Sequence, residues 1–376
     1  MVHYQAGTAD KMPLLLKIIF SMPRYTIRAM YSVHSLFVVV YYNGLGAELS
    51  QMAFFIALGR SFDALTDPFM GAITDNTRTK IGRRKPYLLL GPITYSLAIL
   101  LHVSPPAGLY SDTTGEGGTD SGSTELAMWF GFTYLAFFLF DTAASVPYYA
   151  LKYELCTDNE ERTKIFLYTI VASYIGLFFG NGLPAGLERV MGLTPGACLQ
   201  VTMLHFVVIY SLGMWGSALM ISEPVRPAAQ KKKKFAAMIT RLLSTRAVRY
   251  FIASETLEYA VIYTFAAVLS LFVNYCIINP TGLPVDYSNG FFWTGVMGLA
   301  SMAFAAITPP AWWWLYKRIG KRKAWMVQSL YNGFSNIIFL YPLANNIGLA
   351  LVFGMVNAFA FGGHFIMDST LADVIE

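Results

Sequence analysis

The chain has 376 residues, of which 55% are hydrophobic and 13% charged, with a mean hydropathy of +0.48. A soluble domain carries about 25% charged residues, so a water-soluble fold would leave much of this apolar surface uncovered. The net charge of +5 is gathered in short clusters between apolar runs, a distribution that argues against a nucleic-acid-binding face and for a membrane topology.

The first 22 residues lack the order of a cleaved signal peptide. Ten mainly apolar stretches follow, each near the length of about 20 residues that a spanning helix needs. They cover 25–43, 48–73, 86–104, 127–151, 164–185, 199–221, 249–276, 289–315, 325–343 and 347–367. Trp312, Trp313 and Trp314 precede Lys317 and Arg318 as an interfacial belt would. The loops alternate in sign. Arg78, Lys80, Arg83, Arg84 and Lys85 lie after the second stretch, while loop 105–126 has acids and no lysine or arginine. Its Gly, Ser, Thr and Asp content predicts a flexible connection. Basic clusters recur at 226–246 and 317–323. The positive-inside rule then predicts both termini in the cytoplasm, in an integral, multi-pass protein of the plasma membrane.

The domain division expected is a six-helix bundle at 1–221, a basic linker at 222–248 and a four-helix bundle at 249–376. Lys231–Lys234 either binds anionic membrane lipid or simply holds the linker on the cytoplasmic side. The run Lys80-Ile-Gly-Arg-Arg-Lys-Pro-Tyr87 recurs as Arg318-Ile-Gly-Lys-Arg-Lys-Ala-Trp325, offset by 238 residues. Both copies sit between the second and third stretch of their half. Two such halves imply a pseudo-twofold transporter with a cavity between them.

The most informative stretch is Ser61-Phe-Asp-Ala-Leu-Thr-Asp-Pro-Phe-Met-Gly71. Asp63 and Asp67 are four apart, hence one turn apart on one helix face. A carboxylate at mid-membrane costs about 2.5–3.5 kcal/mol even on the lenient insertion scale, and two neighbours repel, so the pair requires a cation or a proton. Thr66 adds a hydroxyl, and Pro68 frees the carbonyl of Ala64. The oxygen-rich set suits a hard monovalent metal cation such as sodium, protonation would relieve the repulsion equally, and the alternative is a structural pairing with basic side chains. Asp75, farther along the helix, can meet Arg83 or Arg84, as a gating latch or an interfacial salt bridge. Glu255 and Glu258 open the seventh stretch and are read as capping or latch residues. His34 and His364 are candidate cavity residues. Cys156, Cys198 and Cys276 form no metal or disulfide pattern. No phosphate loop, zinc-ligand spacing or nucleophile elbow is present, so neither an ATP-driven pump nor a membrane enzyme is indicated.

The run Asp63-Ala-Leu-Thr-Asp67-Pro-Phe-Met-Gly71 with Thr77-Arg-Thr-Lys-Ile-Gly-Arg-Arg-Lys-Pro86 resembles the glycoside–pentoside–hexuronide cation symporters, the melibiose-carrier branch of the major facilitator superfamily. Val146-Pro-Tyr-Tyr-Ala-Leu151, then Glu154-Leu155 and Asp158-Asn-Glu-Glu-Arg-Thr163, match after it, and Leu371-Ala-Asp-Val-Ile-Glu376 looks like the start of the loop after span ten. The resemblance implies an all-α twelve-helix fold, of which ten helices (6 + 4) are visible here, without the last two. It implies alternating access coupled to Na+ or H+, with no other cofactor. It assigns the coupling cation to Asp63 and Asp67, with Thr66 as polar ligand, and suggests Tyr149 and Ser145 as cavity residues. Sugar carriers of this kind use an aspartate in the first span. None occurs in 25–43, and Arg28 lies near that place, toward the cytoplasmic side. Ser145 stands where a fourth-span aspartate is expected. The expectation is thus a monomeric symporter of a sugar or similar small polar metabolite, with a lysophospholipid-type symporter or a non-transporting, defective paralogue as alternatives.

Overall fold

The computed structural model describes residues 4–8, 11–109, 124–223, 240, 244–258, 287–340 and 347–375. The Lys231–Lys234 run, most of loop 105–126, Cys276 and most of the seventh stretch lie outside them. In chain order the elements are β1 (Tyr4–Gln5), α1 (Leu14–Val33), a π-helical turn (His34–Val38), α2 (Val39–Gly44), α3 (Leu49–Asn76), α4 (Lys85–His102), α5 (Thr124–Glu154), α6 (Asn159–Met191), α7 (Pro195–Met220) and β2 (Ile221–Ser222). They continue with α8 (246–258), α9 (Tyr287–Ile307), α10 (Pro309–Ile319), α11 (Lys321–Leu340), α12 (Ile347–Ala358), a 3-10 turn (Phe359–Gly363) and α13 (His364–Ile375).

Helix starts follow local chemistry. Asp158 caps α6 by accepting from the Glu161 N–H at 2.8 Å, and Thr194 caps α7 with Pro195 at its first position. Several helices outrun the apolar windows. The first begins at Leu14 rather than 25, because Lys17 is neutralised by Glu161 and the Met12 N–H bonds the same carboxylate at 3.1 Å. The eighth stretch ends as one helix at Ile307, where Thr308-Pro309-Pro310 interrupts it and α10 begins. The last extends as helix through Leu371–Ile375, where a loop was expected. Among the described residues, four helical segments are by length and apolarity alone sufficient to cross a membrane: Thr124–Glu154, Asn159–Glu188, Pro195–Met220 and Leu351–Thr370.

The chain forms two compact units, one comprising Met1–Arg162 and Phe179–Gln230, the other Thr163–Phe178 and Lys231–Glu376. In the first, α5 packs on α3 and α4, and α7 on α1 and α4. Contact is close enough that a Cβ on Gly91 would lie 2.6 Å from that of Ala144, the small-residue packing of helices in lipid. Polarity runs inside out. Phe132, Leu90 and Leu65 are more than 60% exposed, while Asp141, Thr142 and His102 are buried. A short parallel pairing of β1 with β2, and of Thr8 with Cys156, ties the N-terminal segment to the ends of α7 and α5. In the second unit, α9 and α11 each pack on α12.

Candidate functional site

The carboxylates of α3 meet one hydroxyl from α5. Thr142 Oγ1 lies 3.1 Å from Asp63 Oδ1 and 3.0 Å from Asp67 Oδ1, and 3.5 Å from Thr66 Oγ1. A hydroxyl has one proton, so it donates to one carboxylate while its lone pairs face the other. Thr66 spends its own proton on the Asp63 carbonyl at 3.2 Å. Four side-chain oxygens therefore converge with a single free proton between them. Neither Asp63 nor Asp67 has an ion-pair partner among the described residues. Arg60, one turn away on α3, covers the rings of Tyr31 and Phe138, 5.6 and 5.2 Å from their centroids. The donor set is all oxygen, as hard cations prefer.

Thr142 and its neighbour Asp141 were not singled out in the sequence. Asp141 is 5% exposed, accepts from Tyr31 Oη at 2.8 Å, and leaves its second oxygen buried without a partner. A lone acid in Phe138-Leu-Phe-Asp-Thr-Ala-Ala144 was the available signal. Ser145, also buried, interacts with it.

The remaining candidates divide. Tyr149 accepts from Arg24 Nη1 at 3.0 Å. Arg28 lies near the middle of the helical run from Leu14 to Gly44. His34 is not an open cavity residue. It is 4% exposed, its Nδ1 is 3.1 Å from His102 Nε2, and it stacks on Tyr134. His364, in the second unit, lies 3.3 Å from Tyr174 Oη and 3.7 Å from Glu258. Glu258 does not cap a helix start: it ends the described part of α8 and accepts from Gln328 and Ser329, each at 3.2 Å.

Asp75 does meet the basic loop. Arg83 Nη1 is 3.2 Å and Arg84 Nη2 3.6 Å from its Oδ1. The stronger partner is Glu154, which takes both guanidiniums at 2.6 and 2.7 Å. Burial pulls the Arg84 guanidinium below its ordinary range, with Glu154 opposing that shift. Glu223, unnoticed in the sequence, accepts the backbone N–H groups of Arg83, Arg84 and Lys85 at 3.1, 2.9 and 2.9 Å, a carboxylate seated at the start of α4.

Helices with apolar exteriors around the buried, polar Asp141, Thr142 and His102 define a multi-pass integral membrane protein. The chain belongs to the MFS/sugar transport protein family, whose model matches residues 19–376. It is 29% identical to an uncharacterised symporter, YnaJ, of Bacillus subtilis over 219 residues, 56% of this chain and 42% of that protein. It is 25% identical to the lactose permease of Lactobacillus helveticus over 187 residues, 47% and 27% of the two chains. With the sodium-dependent lysophosphatidylcholine symporter 1 of Gallus gallus it shares 21% identity over 360 residues, 85% and 62% of the two. These matches span less than two thirds of each relative's own length. A bacterial homologue of the iron transporter ferroportin, in its outward-facing state, shares the fold, with a TM-score of 0.61 at 14% identity over 96% of this chain and 85% of that one.

Proposed function

We propose that the protein is a secondary active symporter that couples movement of a small polar solute, of the sugar class or similar, to entry of Na+ or H+ by alternating access. The observation that carries this reading is the pair Asp63 and Asp67, one turn apart, sharing the single proton of Thr142 and making no ion pair among the described residues. Such a pair is stabilised when a cation or proton arrives. A cation bound by Asp63, Asp67 and Thr66, with Thr142 donating to whichever oxygen is left, would favour one conformation, and solute binding would permit the exchange. Asp75, Arg83 and Arg84 act as a latch in that exchange. On this reading the unit is one chain in the plasma membrane, with both termini cytoplasmic, no cofactor beyond the coupling ion and no catalysis.

The test is uptake into proteoliposomes under an imposed sodium or proton gradient. At least one gradient is expected to drive accumulation, and D63N or D67N to reduce it at least about a hundredfold, since each removes an essential charge. Accumulation indifferent to both gradients, or intact in both variants, would sink the reading. The alignment over 85% of this chain with a lysophosphatidylcholine symporter favours a lysophospholipid as second solute class, and saturable uptake of that lipid in preference to sugars would establish it.

A further inference from the structure

Basic side chains buried in the first unit are mostly compensated. Lys17 has Glu161, and Arg84 has Glu154. Arg28 differs. It is half-buried near the midpoint of the helical run from Leu14 to Gly44, and among the described residues it makes no hydrogen bond, ion pair or ring contact. None of its nitrogens is sealed from access.

The orientation of the side chain follows from the residues one turn to either side. Arg24 reaches Tyr149 on α5 at 3.0 Å, and Ser32 donates to Asn181 Oδ1 on α6 at 2.5 Å. Residues four apart share a helix face, so Arg28 is carried on the face turned to α5 and α6. The opposite side of α1 packs on α7, where a Cβ on Gly213 would lie 2.7 Å from Met22 and Pro23. Arg28 is therefore aimed at α5 and α6 rather than at α7. A half-buried guanidinium without a counter-charge is expensive to keep in a spanning helix, and a neutral solute would leave it uncompensated.

We infer that Arg28 receives an oxyanion, a carboxylate or a phosphate, carried by the bound solute. The planar fork of a guanidinium matches two oxygens of such a group at once. The Tyr149 hydroxyl, held by Arg24, and the Ser32–Asn181 pair flank it with groups able to take solute hydroxyls. The assignment rests on the transport reading for the word solute, but its test does not depend on transport.

The test uses the full chain in detergent at constant ionic strength, with ligand binding read from the shift in thermal unfolding midpoint. The probes are glucuronate, glucose 6-phosphate and lysophosphatidylcholine, with glucose as the neutral control. At least one oxyanion probe is expected to raise the midpoint saturably, with glucose inactive at the same concentration. Which probe does so tells carboxylate from phosphate, and free phosphate ester from lipid headgroup. R28Q is expected to weaken that probe at least about tenfold, as loss of one partner of a charge pair does, and R28K to weaken it less. Without ligand, R28Q should unfold at the wild-type midpoint or above, because no partner is lost.

Stabilisation by none of the three oxyanions, equal binding in R28Q, or a fall of several degrees in the unliganded R28Q midpoint would each overturn the assignment. No gradient is applied, so failure of ion coupling leaves the assignment standing. Ion-driven uptake of a neutral sugar, unchanged by R28Q, would remove it and leave symport intact.

Discussion

The basic motif occurs twice, and its two copies meet different surroundings. The copy at Lys80–Tyr87 is embedded in carboxylates: Arg83 and Arg84 converge on Glu154, and Glu223 collects three consecutive backbone N–H groups. Contacts of the second copy, Arg318–Trp325, and of the lysine before it with described residues include rings and a carbonyl. Lys317 stands 5.5 Å from the Trp313 centroid, Arg318 only 4.1 Å from that of Trp314, and Lys321 donates to the Ser369 carbonyl at 3.4 Å. At the repeat offset, the counterpart of Asp75 is Trp313. The backbone is shared more than the electrostatics. The glycine of each copy adopts positive φ, +127° at Gly82 and +81° at Gly320, a region open to glycine at little cost. A short motif thus dictates its own turn, while the charge it meets depends on residues far along the chain.

The contrast breaks most sharply at Glu154. E154Q takes from two guanidiniums their shorter carboxylate contact and leaves them Asp75 at 3.2 and 3.6 Å, and a loss of about 3 kcal/mol is expected from breaking a buried ion pair. R318Q in the other copy should cost no more than about 1 kcal/mol, the scale of an exposed cation–π contact. Both are read from denaturant unfolding of the purified chain, and equal losses would erase the distinction. The glycines sharpen it at intermediate size. A Cβ on Gly82 would lie 2.5 Å from Oε1 of Glu223, a carboxylate that three N–H bonds pin through its two oxygens, whereas Gly320 has open space. G320A should cost about 1–2 kcal/mol for its backbone alone, and G82A clearly more because Glu223 must also give way. The smallest effect is expected for D75N. Its carboxylate is 54% exposed, so about 0.5 kcal/mol or less is lost, and its consequence should be sought in transport rate rather than in stability.

Spacing made part of this legible. Asp63 and Asp67 are found by their separation alone, and the basic loops by their sign, because both signals are local. Thr142 is 75 residues from Asp67 and Glu223 is 140 from Arg83, and no periodicity reports such pairings. Arg60 was overlooked as a neighbour of the acids although it is on the same helix, and only the structure shows it given to aromatic rings. Apolar windows report hydropathy, not where helices begin. That is why α1 starts at Leu14 on the strength of an ion pair, and why Thr308-Pro309-Pro310 divides a stretch that hydropathy reads as continuous. His34 looked available because an isolated histidine in an apolar run carries no sign of the second histidine that engages it.

The hydroxyl between the two α3 carboxylates has a further effect. Rotating Thr142 about one bond hands its hydrogen from Asp63 to Asp67, two acceptors at nearly equal reach, and at any instant one acid is favoured while its twin confronts a bare oxygen. Chemically identical side chains are thereby made unequal by a threonine on another helix.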